Sequence, residues 1–197
     1  MSLGVNALVT LDEAKAFLKK TDDADLSVLE LLIDGVSEQF NAATDRTLKT
    51  TTYTDLYLDG NGQPDIYLPN YPVTTLTSVY EDGTLLTEGL TGDFVLYSSN
   101  NGAWLHKLSG TWLEGPKTIK ITYTAGYGAV SPAGSPALPQ RVKTACLIQL
   151  GDFWQKFSHK SWGETARSLA NQSVTIVDKD ILPIVKTMLA PDTRYGL

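Results

Sequence analysis

The chain has 197 residues, 42% of them apolar, with 16 Lys+Arg against 22 Asp+Glu for a net charge of −6 and a single cysteine. That acidity argues against a free-standing nucleic-acid binder, which needs a basic face to release counterions from phosphates. The lone Cys146 rules out an intramolecular disulfide or a thiolate zinc site, and no apolar run approaches the ~20 residues of a membrane span. The size fits one large domain or two small ones, and a reducing compartment is the simplest home.

The first residues lack the basic n-region of a signal peptide, which predicts a chain not exported by that route. Thr10-Leu11-Asp12-Glu13 reads as a capping box opening a short helix through Lys20. After Thr21-Asp22-Asp23, apolar residues recur at Leu26, Leu29, Ile33, Val36, Phe40 and Ala43, a helical spacing that predicts the longest helix over 24–45. Acidic residues at its start and Arg46 and Lys49 past its end suit the helix dipole.

From Thr50 to Thr124 the texture changes to Thr, Tyr, Val and Ile alternating at period two between turn residues, which predicts antiparallel strands. They are expected near 52–58, 65–68, 73–80, 84–87, 93–98, 103–108 and 117–124, with Pro69 and Pro72 bracketing a bend. Gly and Pro between 126 and 139 predict a loop. Helix resumes at Pro139 and runs to about Phe157, 158–173 is ambiguous, Val174–Val177 reads as a short strand, and a last helix spans Ile181–Leu189.

Catalytic options are few. Cys146 and His159 lie about 20 Å apart along one predicted helix, at ~1.5 Å per residue, and Cys146 on the apolar side reads as a buried, inert thiol. His106 reads as a surface histidine in a strand. Asp59-Gly60-Asn61-Gly62 starts like a calcium loop but has Asn70 where the bidentate Glu belongs, so a turn is preferred. No phosphate-binding or nucleophile-elbow motif occurs, and Asp22/Asp23 and Asp178/Asp180 are explained by capping. The sequence therefore predicts no enzyme, no cofactor and no metal site. Two clusters suit either contact work or a solvated helix end whose lysines complement the dipole: Trp154, Lys156, Phe157, His159, Lys160 and Trp162 after the third long helix, and Arg194-Tyr195 near the C-terminus.

The order of these pieces resembles a known family. Leu11–Leu18, the Asp-rich break, Leu29–Val36 and the close at Ala43–Arg46 are similar to the N-terminal helical pair of the tailed-phage head–tail connector (adaptor) family. Leu58–Val73 with Val79–Gly83 looks like the β insertion of its longer members, and Ile121–Tyr127, the helix carrying Ala145 and the ending Met188–Arg194 agree in order and spacing. The resemblance implies an α+β fold: a helical bundle core, 1–50 plus 131–197, interrupted by an antiparallel β insertion over 51–130.

It also implies a structural virion protein forming a ring beneath the portal with the portal's twelvefold symmetry, extending the DNA channel and receiving the next neck or tail-completion protein. Expected partners are the portal protein, that neck protein and further copies of the chain, with the solution oligomer left open, a monomer included. DNA would pass through without sequence-specific binding, and no membrane is involved. The virion is the expected location, after assembly in the host cytoplasm. Interface candidates are Leu29, Ile33, Phe40, Trp154, Lys156, Lys160, Trp162, Arg194 and Tyr195. Alternatives are a tail-completion or stopper protein, a small-ligand or carbohydrate-binding β module with a pocket between Trp104 and Trp112, and an unrecognised hydrolase.

Overall fold

A computed structural model describes residues 2–128, 136–159, 166–169, 172–175 and 180–194. The chain divides into two compact units: Met1–Phe40 with Pro139–Ala190, and Asn41–Leu138 with Pro191–Leu197.

The first unit holds helices α1 (Leu11–Leu18), α2 (Leu26–Thr44, whose last turn enters the second unit), α3 (Gln140–Ser158) and α4 (Pro183–Leu189), with a hairpin of β8 (Ala166–Leu169) and β9 (Gln172–Thr175). The expected capping box opens α1: the Glu13 amide donates to Thr10 Oγ1 at 3.2 Å and the Thr10 amide to Glu13 Oε2 at 2.9 Å. Helix α2 buries Leu29, Ile33, Val36 and Phe40, the stripe its spacing requires. The N-terminal segment lies along it, the Leu8 amide donating to Ser37 Oγ at 3.1 Å. Helix α3 buries Val142, Ala145, Cys146, Gln149 and Leu150. Gln149 accepts from the Leu182 amide at 3.0 Å, fixing the entry to α4, and Lys143 reaches Glu13 of α1 at 2.7 Å.

On α2, Gly35 is exposed, and a Cβ added there would meet nothing within 4 Å. Gly35→Ala is therefore expected to stabilise the chain by about 0.5–1 kcal/mol, read as a rise in the denaturant midpoint; an unchanged or lowered midpoint would contradict this.

The second unit is built from strands β1 (Thr51–Gly60), β2 (Asp65–Tyr67), β3 (Val73–Glu81), β4 (Thr84–Leu85), β5 (Phe94–Ser99), β6 (Gly102–Lys107) and β7 (Gly115–Ala125). They form a four-stranded antiparallel sheet, β1-β7-β3-β4, and a three-stranded one, β2-β6-β5. Alternation along β7 buries Ile119, Ile121, Tyr123 and Ala125. These pack with Val79, Ile66, Phe94, Leu105 and Trp112 in one apolar core. Trp112, fully buried in the loop before β7, donates its indole N–H to the Pro64 carbonyl at 2.9 Å. Gly60 is required where β1 ends, since a Cβ there would lie 1.7 Å from the Leu113 carbonyl oxygen. The Tyr71–Pro72 bond in the predicted bend is cis.

All seven expected strands are present within a few residues, as are the four helices. The expected helical bundle core is not. Two of the helices have only 8 and 7 residues, roughly 12 and 10 Å at ~1.5 Å per residue, too short to run side by side with 19-residue helices as a bundle requires. The chain is instead mixed and strand-rich, and the two sheets enclose an apolar core of their own. An apolar stripe predicts that one helix face is buried; it does not say what buries it. Much of the loop expected at 126–139 lies outside the described residues.

Candidate interface surfaces

The most constrained polar feature of the strand unit is Arg46, which follows α2. Its guanidinium donates from Nη1 to the Tyr71 carbonyl at 2.7 Å and from Nη2 to Asp192 Oδ1 at 3.1 Å, and it lies over the Tyr71 ring at 3.9 Å. Both charged side chains are fully buried. Two buried charges are tolerable only when paired and hydrogen-bonded in good geometry, and this pair ties the C-terminal 3-10 turn Ala190–Asp192 to the strand unit at Asp192. Just beyond, the Arg194 amide donates to the Thr44 carbonyl at 2.9 Å, and its guanidinium lies 3.9 Å from Asp45. The position of Arg194 on the surface is thus set by the buried Arg46–Asp192 pair.

A second feature arises from register. Tyr67 of β2 and Tyr97 of β5 both pair with Trp104 of β6. Their inward neighbours Ile66 and Leu105 are in the core, so pleating turns Tyr67, Trp104 and Tyr97 to the other face. Tyr97 stacks on Trp104 with centroids 5.3 Å apart, Tyr67 lies at 6.1 Å, and His106, bonded to Asp65 at 2.6 Å, meets Tyr97 edge-on. Beside this row a hollow of about 250 Å³ is lined by Tyr67, Leu68, Tyr71, Ala103 and Trp104, with Arg194 also in its wall. Exposed tyrosines with a half-buried tryptophan next to arginine are the composition of binding hot spots in protein interfaces. It is poorly suited to a sugar platform, because Tyr97 and Trp104 cover one another's faces.

A model of the head completion protein family matches residues 7–192. The chain belongs to that family. Its fold is similar to that of a chain in the neck of an empty gene transfer agent particle, computed with C6 symmetry, at 18% identity and a TM-score of 0.54 over 98% of this chain and 94% of that one. A chain in the virion of a native gene transfer agent particle is similar at 16% identity and a TM-score of 0.54, over 100% and 95% of the two chains. No curated protein matches the sequence. Membership makes the chain a structural virion protein and not an enzyme, and it agrees with the connector-like order of elements in the sequence.

In this head completion protein the sequence-derived interface residues have distinct placements. Leu29, Ile33 and Phe40 are fully buried in the single chain. Trp154 of α3 is half-buried, packed on Phe157 at 5.5 Å with the Lys20 ammonium 5.4 Å above its ring, and Lys156 pairs with Asp152 one turn earlier at 3.1 Å. Arg194 joins the aromatic hollow. Lys160, Trp162 and Tyr195 lie outside the described residues. Trp104 and Trp112 do not share a pocket: Trp112 belongs to the core and Trp104 to the outer face.

Other sequence candidates settle into structural roles. The Cys146 thiol is fully buried, and burial pushes its pKa up to about 12, which removes the thiolate that reactivity needs. Asn61 accepts from the Gln63 amide at 3.0 Å as a turn residue does, and Asp59 at the end of β1 accepts from the Lys117 amide at 2.7 Å. The row of Tyr67, Trp104 and Tyr97 is not visible as a unit in the sequence. Its trace there is one aromatic in each of three short alternating segments, and only the pairing register brings them side by side.

Proposed function

We propose that this head completion protein assembles as a ring beneath the portal, twelvefold like the portal, that extends the DNA channel and offers the docking surface for the next neck or tail-completion protein. The reading rests on the family match across residues 7–192, joined to the connector-like order of its elements. A head-to-tail ring needs two different surfaces on each subunit that match when the rotation closes. Net charge supports the channel role, since copies carrying −6 each present DNA with like charge, which disfavours its sticking during passage. Assembly takes place in the host cytoplasm and ends in the virion.

Light scattering across a concentration series, alone and with portal, tests this reading. The expected result is a ring-sized mass on the portal, whether or not the free chain is a monomer, with no DNA retained by the ring in a low-salt mobility assay. A chain that never associates with itself or with portal would overturn the ring, and tight DNA retention would overturn the passive channel.

A further inference from the structure

The loop of residues 86–93, between β4 and β5, presents Leu90 at 85% exposure. The loop is closed by its own hydrogen bonds. The Gly89 amide donates to the Phe94 carbonyl at 2.9 Å, Gly92 to Gly89 at 2.9 Å and Asp93 to Thr87 at 2.8 Å, while Asp93 Oδ2 accepts from the Thr87 amide at 2.7 Å. Gly89 takes a φ of 128°, and a Cβ on Gly92 would lie 2.4 Å from the Thr87 carbonyl oxygen. A single exposed leucine is common. This one stands on a backbone already ordered, so seating it elsewhere costs little conformational entropy, and the exposed carboxylate of Glu88 lies two residues before it.

The same strand unit carries the complement. The hollow walled by Tyr67, Leu68, Tyr71 and Trp104 has about 250 Å³, room enough for an aliphatic side chain. Arg194 at its wall is 34% exposed, and its ion pair to Asp45 is long at 3.9 Å. An apolar knob beside an anion and an apolar socket beside a cation occur on one chain, and the knob's exposure shows that it is not seated in its own socket.

We infer that Leu90 of one copy enters the Tyr67–Tyr71–Trp104 hollow of the next, with Glu88 facing Arg194. The occupant is a second copy of this chain, and the contact is heterologous, the kind that closes a ring. The inference deepens the ring reading by naming its subunit contact.

The test places a photoreactive benzoylphenylalanine at position 90 of the full chain, mixes it with isotopically heavy chain, and irradiates the mixture both on the portal and alone at high concentration. Mass spectrometry is expected to find heavy–light cross-links to peptides carrying Tyr67–Tyr71 or Ala103–Trp104. Rings that form without these cross-links overturn the contact and leave the ring standing. These cross-links without a portal-bound ring sustain the contact and overturn the ring, and neither observation overturns both. In parallel, Glu88→Arg and Arg194→Glu are each expected to weaken self-association roughly tenfold or more, as loss of a hot-spot pair does, and the double variant to restore it. Leu90→Asp, at an exposed position where folding is not at stake, is expected to do the same as the single variants. Unchanged association in all three, or no recovery in the double variant, would overturn the contact.

Discussion

Replacing Arg46 with Met is expected to destabilise the strand unit by about 3–5 kcal/mol, because it removes the guanidinium that is ion-paired with the buried Asp192 carboxylate. Asp192→Leu should cost a similar amount, since the guanidinium would then keep only the Tyr71 carbonyl among these two acceptors. The double variant Arg46→Met/Asp192→Leu is expected to be more stable than the sum of the single losses predicts, because no unpaired charge remains, with a coupling on the order of 1–3 kcal/mol. Urea titrations of the four proteins measure the cycle. Single losses below ~1 kcal/mol would mean that the pair is solvated and contributes only as a surface bridge does.

The local consequence of the same change separates a latch from a general loss of stability. The Arg194 amide, bonded to Thr44, should exchange with solvent much faster in Arg46→Met, while the amides of α3 keep their protection. Equal loss of protection in both places would contradict a specific role for Arg46 in holding the C-terminal segment. Since Arg194 also walls the hollow, the variant is expected to impair self-association before it unfolds the chain.

Trp112→Ala is the second large effect, at about 3–5 kcal/mol for emptying a fully buried indole site. The residue packs against Phe94 at 6.2 Å between centroids and bonds the Pro64 and Leu105 carbonyls, so it joins the loop before β7 to β6. Trp112→Phe retains most of the packing and removes the donor, and should cost about 0.5–1.5 kcal/mol for the lost hydrogen bond, since the Pro64 carbonyl still accepts from the Lys107 amide. Denaturant midpoints with unchanged slopes would report these losses. A Trp112→Ala protein as stable as the parent would mean that the core of the strand unit collapses around the gap or that it does not depend on this side chain.

Elements were readable wherever the physics is local. A capping box needs two residues three apart, and Thr10 and Glu13 form the one expected. A buried helix face needs a 3.6-residue period, and Leu29, Ile33, Val36 and Phe40 are the buried apolar residues of α2. Seven strands followed from period-two alternation between turn residues. Architecture was harder to read, because the bundle expectation rested on two strong helices and ignored that α1 and α4 are too short to complete one. The mixed, strand-rich fold depends on how two sheets cover one another, and no local pattern states that. The resemblance to a connector family survived this correction because it rested on the order of elements and not on the class of core.

The candidate surfaces divide in the same way. Trp154 and Lys156 were legible, although they are two positions apart and so do not share a face; each meets a residue three or four away instead, Trp154 with Phe157 and Lys156 with Asp152, spacings that the sequence does display. Arg46 and Asp192 were not, since they stand 146 positions apart, and the sequence shows Arg46 only as a cation past a helix end. Tyr67, Trp104 and Tyr97 were not, since a one-residue slip in register would have turned any of them inward. By itself the sequence determined helix and strand positions, an inert cysteine, an acidic chain without catalytic motifs, and an order of elements like that of a phage connector. Tertiary structure alone decided which core dominates, that a buried ion pair holds the C-terminal turn, and that three distant aromatics make one surface. The reason is that hydrophobic periods and caps act within a few residues, whereas sheet pairing and buried charge pairing select partners that the chain brings together only when it folds.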